Sequence, residues 1–121
     1  MIKSINLNVI AIYVTNLKKS VKFYTEILGF TKSKMVMPPG IILQTGEIML
    51  YLEESRAEKN TFGKRSEFSP CFATESIKQT YNTLKDAKIK FVIDYTEYAP
   101  TFALFRITDP DGNLIEFAGT P

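Results

Sequence analysis

Hydrophobic and polar positions alternate along much of this chain, and where they stop alternating they recur every three or four residues. Asn6 to Val14, "NLNVIAIYV", is rich in β-branched residues and reads as a strand. "TNLKKSVKFYTEILGF" follows. Its apolar positions Leu17, Val21, Tyr24 and Leu28 share one helical face, Asn16 is placed to cap the start, and Gly29 supplies a left-handed stop. Strands are then predicted around Thr31–Met37, Ile41–Gln44 and Glu47–Glu53, broken by "PPG" and "TG". Residues 55–67 are polar without a period and read as a connecting loop.

The pattern then begins again. "FSPCFAT" suits a strand, and "SIKQTYNTLKDAKI" suits a helix opened by Ser76 with Gln79 three residues on, a capping box. "KFVIDYTEY", "TFALFRIT" and "NLIEFAG" complete three more strands. Leu17, Val21 and Tyr24 return sixty positions later as Ile77, Tyr81 and Leu84. The chain therefore reads as a βαβββ unit used twice, an α+β architecture with modules at about 1–54 and 67–121 in a single domain.

Alternation divides each strand into two faces. Ile10, Ile12 and Val14, then Ile48, Leu50 and Leu52, then Pro70 and Phe72, form apolar sets expected to pack on the helices. The alternate sets mix aromatic, polar and small groups: Val9, Ala11 and Tyr13; Met49, Tyr51 and Glu53; Ser69, Cys71 and Ala73. "ITDPDGNLIEF" places a tight turn between two strands, with Pro110 fixing φ and Gly112 free to take a positive φ. A type I turn with a glycine bulge sets Arg106 opposite Glu116, with Leu104 and Phe102 on the same face. Phe105, Ile107, Ile115 and Phe117 then face the helices. A one-residue change in the turn would reverse this assignment.

Composition narrows the function classes. The 121 residues are 45% apolar and 23% charged, ordinary for one globular domain. A formal charge of +2 gives no reason to expect a nucleic-acid or membrane-surface partner, and Lys18, Lys19 and Lys22 read as a solvated helix face. Cys71 is the sole cysteine, which excludes an internal disulfide and a cysteine-rich zinc site. The apolar run near the N-terminus is too short to span a membrane and lacks a secretory cleavage site, so a cytoplasmic protein is expected.

The repeated βαβββ unit, "NLKKSVKFYTEILGF" and "DPDGNLIEF" together resemble the vicinal oxygen chelate superfamily. That group includes glyoxalase I, the bleomycin and fosfomycin resistance proteins and extradiol dioxygenases. The resemblance covers essentially the whole chain. It implies two βαβββ modules forming a curved mixed sheet around a ligand cavity, with the helices outside, within a homodimer. Metal-binding members take one ligand from each of four strands, usually histidine or glutamate. Carried onto this chain, those positions fall at Val9, Tyr51 (Glu53 if the alignment slips by two), Ser69 and Glu116.

The chain contains no histidine. Glu116 alone matches its family counterpart, and one strong donor does not hold a divalent transition metal. Two carboxylates and two hydroxyls from Glu53, Tyr51, Ser69 and Glu116 would make a poor octahedron for magnesium or calcium. No metal and no other cofactor is therefore expected. An ionised Glu116 among apolar residues still needs a partner, and Arg106 offers a charge-assisted one. That pair is either a stabilising ion pair or a site poised to hold an anionic or polar ligand.

The other candidates each have two readings. Tyr13 and Tyr51 could stack on a planar ligand or fill space. Met35 and Met37 could line a pocket or pack in a core. Tyr95, Tyr98 and Phe102 could form an aromatic rim or a dimer contact. Cys71 has no histidine to activate it and is expected to be a small buried thiol. The expectation is a metal-free protein binding a small organic molecule through Arg106, Glu116, Tyr51, Tyr13, Ser69, Phe102 and Met37. The rivals are a glyoxalase-like lyase or isomerase, metal-dependent or with Glu116 as base, and a dimeric structural or regulatory protein.

Overall fold

A computed structural model describes residues 9–55, 58 and 69–121. Asn6 to Asn8 of the first expected strand, Phe68, and nearly all of the expected loop lie outside the described residues. Contacts divide the chain into two compact units, Met1–Lys59 and Asn60–Pro121. Each carries one βαβββ module.

The first module runs β1 (Val9–Val14), α1 (Leu17–Lys22), a π-helical turn (Phe23–Ile27), β2 (Thr31–Met37), β3 (Gly40–Gln44) and β4 (Met49–Glu54). Its sheet has the order β1-β4-β3-β2, with β1 and β4 parallel and the other pairs antiparallel. Two side chains satisfy two of the amides left orphaned at the start of α1. Asn16 Oδ1 accepts from the Lys19 amide at 3.0 Å, and Glu54 Oε1 accepts from Leu17 at 3.3 Å. The helix rests against β4. Val14, Tyr24, Leu43 and Leu52 are fully enclosed in this module's core. Each such side chain contributes about 1.5–3 kcal/mol by leaving water.

The second module runs β5 (Cys71–Phe72), α2 (Ile77–Asp86), β6 (Phe91–Ala99), β7 (Phe102–Thr108) and β8 (Leu114–Gly119). Its order, β5-β8-β7-β6, repeats the first module's, again with the outermost pair of opening and closing strands parallel. Ser76 caps α2 by accepting from the Gln79 amide at 3.1 Å. The helix lies on β7 and β8. Ile77, Phe105, Ile107 and Ile115 are fully buried there. Phe105 stacks on Phe117 at 5.1 Å, and Tyr81 joins the helix to that stack at 5.7 Å from Phe105.

The structure departs from the expected pattern in three places. The first helix does not stay α-helical. It widens at Phe23, where the Leu28 amide bonds the Phe23 carbonyl at 3.1 Å, five residues back. This change buries Phe23 as well as Tyr24. The sixty-residue offset shows what happened. Tyr24 and Leu84 occupy equivalent helix positions, and their carbonyls accept from Phe30 and Ile89, an offset of only fifty-nine. The first module therefore holds one extra residue, absorbed by the π turn. Accordingly, the left-handed helix stop is Gly29 at φ 84° in one module and Lys88 at φ 61° in the other.

Ile48, expected in the apolar set, precedes β4 and is exposed. The strand expected from "FSPCFAT" is only two residues long, because β5 pairs with β8 just at Cys71↔Glu116 and Phe72↔Phe117.

Candidate functional site

The turn that sets the second module's register is held by one carboxylate. Asp109 is buried, and its Oδ1 accepts from the amides of Asp111 and Asn113 at 2.9 Å each, while Oδ2 accepts from Asn113 Nδ2 at 2.8 Å. The Gly112 amide returns to the Asp109 carbonyl at 3.0 Å, with Gly112 at φ 81°. That is the expected turn, and it fixes Arg106 opposite Glu116 across β7 and β8.

Arg106 Nε donates to Glu116 Oε1 at 2.8 Å. The two side chains are 39% and 22% exposed, so the pair is neither free in water nor sealed in the core. Among the described residues, Nε is the one guanidinium donor engaged. The remaining nitrogens are available to a ligand oxygen.

Glu116 has a second neighbour, on β5. Cys71 is its parallel-strand partner. Partial withdrawal from water, then the neighbouring charge of Glu116, push the Cys71 thiol above its ordinary pKa. Contrary to expectation, Cys71 is exposed. The strand that would have enclosed it is a two-residue edge. Ser69 Oγ donates to the Leu114 carbonyl at 2.9 Å and ties the same edge to β8. Alternation places Phe102 and Leu104 on the face that carries Arg106, and Phe102 is exposed beside Tyr98 at 6.2 Å. Ser69, Cys71, Phe102, Arg106 and Glu116 thus share the helix-free face of this sheet.

Tyr95 is not part of that group. The register of β6 against β7 shifts repeatedly, and the Tyr95 ring lies 5.3 Å from Tyr81 on the helix side. Its withdrawal from water and its 2.6 Å hydrogen bond to Glu97 push the hydroxyl up to about 12.

The remaining sequence candidates lie in the first module. The β1–β4 register sets Ala11 beside Tyr51 and Tyr13 beside Glu53. Tyr51 Oη donates to Glu53 Oε1 at 2.8 Å, which raises the Tyr51 pKa. Met37 is exposed at the end of β2, opposite Gly40. The sequence carried no sign of why residue 40 is glycine. A Cβ there would collide with the Tyr51 ring and the Leu52 carbonyl, so the missing side chain is the space the ring occupies. Tyr51 and Glu116 are equivalent in the repeat, each facing the opening strand across a parallel pair, at Ala11 and at Cys71 sixty positions later.

The four positions that the resemblance assigns to a metal do not fit one. Val9 has no donor, and Tyr51 and Ser69 spend their hydroxyl protons on Glu53 and Leu114. Glu116 already accepts from Arg106. Neutral hydroxyls and a single occupied carboxylate are weak donors for a divalent ion.

Comparison with known proteins agrees with this architecture. No curated protein matches the sequence. Among solved structures, lactoylglutathione lyase from Agrobacterium tumefaciens is 16% identical, with a TM-score of 0.73 over 96% of this chain and 94% of that one. A glyoxalase/bleomycin resistance protein/dioxygenase from Nocardioides is 20% identical, with a TM-score of 0.77 over 98% and 85%. A virulence protein from Salmonella typhimurium is 24% identical, with a TM-score of 0.71 over 98% of each chain. At these identities the likeness is one of fold. The family model described as Glyoxalase/Bleomycin resistance protein/Dioxygenase superfamily matches residues 6–117. With the repeated module and the DPDG turn, that match means that the chain belongs to the glyoxalase/bleomycin resistance protein/dioxygenase superfamily.

Proposed function

We propose that this protein binds a small organic molecule on the helix-free face of the second module's sheet, with Arg106 as the polar anchor and without a metal. The observation that carries the reading is the 2.8 Å bond from Arg106 Nε to Glu116. It neutralises the inward acid, fixes the guanidinium plane, and leaves the terminal nitrogens directed to a ligand. A carboxylate or other polar oxygen attached to an aromatic or apolar body matches those donors beside Leu104 and Phe102. Binding of this kind needs neither a Lewis acid nor a general base.

The same bond weighs against a lyase or isomerase that uses Glu116 as base. A carboxylate already accepting from Arg106 has fewer lone pairs left for a substrate proton. Thermal-shift titration with benzoate, and with benzyl alcohol as its uncharged counterpart, tests the proposal. Benzoate should stabilise the wild-type protein more than the alcohol does, and Arg106→Met should abolish the difference. Equal responses in both proteins, or one stoichiometric transition metal in elemental analysis of the purified protein, would overturn the reading.

A further inference from the structure

The two modules treat their helix-free acids differently. In the second, Glu116 is neutralised by Arg106. In the first, Glu53 accepts a hydrogen bond from a neutral tyrosine, and among the described residues no lysine or arginine forms an ion pair with it. Its neighbour Glu54 points to the opposite face, where it caps α1 through the Leu17 amide. Among the described residues, then, no cation offsets the negative charge that Glu53 presents on the sheet surface.

Aromatic rings stand on both sides of that charge. Tyr13 is its direct partner on β1, in a parallel pair whose side chains stand about 5 Å apart at Cβ, and it is 51% exposed. On the other side is Tyr51, whose ring is seated in the gap left by Gly40 and whose hydroxyl is held by the carboxylate. Tyr51 is consequently fixed in place. A ring that needs a glycine beneath it and an acid at its tip is oriented before any ligand arrives. Met37, opposite Gly40 at the end of β2, adds a polarisable apolar edge.

We propose that Tyr13, Tyr51 and Glu53 form a binding site for an organic cation, a small quaternary or tertiary ammonium group. Such a cation carries diffuse charge and needs few or no hydrogen-bond acceptors. It is attracted by aromatic faces within about 6 Å and by a nearby carboxylate. A metal ion is the poorer match, since one carboxylate with two protonated phenols supplies too few anionic oxygens. This inference concerns the first module and stands independently of the ligand proposed for Arg106.

The test uses the full chain, isotopically labelled, titrated with choline and with 3,3-dimethylbutan-1-ol, which has the same shape without the charge. Choline should bind saturably and shift amide signals of Ala11–Val14, Gly40 and Tyr51–Glu53. The alcohol should bind at least ten-fold more weakly. Glu53→Gln should weaken choline at least ten-fold while leaving the melting temperature unchanged, because the amide oxygen still accepts from Tyr51. Tyr13→Leu should weaken it several-fold. Equal affinity for the two probes, an undiminished Glu53→Gln variant, shifts confined to the second module, or no saturable choline binding at tens of millimolar would each overturn the proposal. An Arg106→Met variant that loses benzoate yet keeps choline would separate this site from the one proposed above.

Discussion

Replacing Arg106 with leucine removes the guanidinium while keeping an apolar stem against the sheet. The lost interaction is a charge-assisted hydrogen bond of 2.8 Å. Hydrogen bonds to charged groups are worth about 1.5–3 kcal/mol when sheltered, and ion pairs in open water about 0–1 kcal/mol. With the side chains 39% and 22% exposed, the pair lies between those limits. Glu116 can partly rehydrate once its partner is gone, so the cost of stranding a buried charge does not apply in full. The expected loss is about 1–2 kcal/mol. For a chain of 121 residues, with an unfolding entropy of about 2.1 cal/mol/K per residue, this lowers the melting temperature by about 4–8 °C. Urea unfolding should give the same loss, and an Arg106→Leu/Glu116→Leu double variant should recover part of it, since no unpaired charge remains. Molar salt should narrow the gap between wild type and the single variant. If Arg106→Leu melts within about 1 °C of wild type, a distance adequate for strong pairing contributes nothing, and the account of how Glu116 is neutralised is wrong.

Two further outcomes follow from individual residues. Alkylation of Cys71 by iodoacetamide should reach half its limiting rate above the ordinary thiol range, and Glu116→Gln should move that midpoint down by removing the charge that opposes the thiolate; a midpoint at or below the ordinary range would contradict the effect of the Glu116 charge on the thiol. Lys88 is an exposed residue at φ 61°, where a Cβ costs about 1 kcal/mol, so Lys88→Gly should raise the melting temperature by a few degrees, whereas a lower one would show that the helix stop is not strained.

The features legible in the sequence were those governed by short-range chemistry. The DPDG turn dictates its own hydrogen bonds, those bonds dictate the register of β7 and β8, and the register brings Arg106 to Glu116. The caps at Asn16 and Ser76 were readable for the same reason, since a side chain three residues from an orphan amide needs nothing else to act. What depended on distant backbone was hidden. Nothing in "PPG" says that Tyr51 will lie over Gly40. The exposure of Cys71 follows from how early β5 stops pairing, which its composition does not encode. Tyr95 turned to the helix because the β6 register shifts, and alternation fails wherever it does. The choice between Tyr51 and Glu53 as the inward group also dissolved, since residues two apart on a strand face the same way and here hold one another.

The wide turn at Phe23–Ile27 bears on how a duplicated chain can drift apart without losing its shape. An added residue in a regular helix would rotate everything after it by about 100° and carry the next strand out of phase. Accommodated instead as a single enlarged loop of backbone, the addition is spent locally, and Thr31 enters its strand as if the count had never changed. The two halves can thus differ in length inside their helix, and sequence comparison between them must allow a gap where one would least be sought.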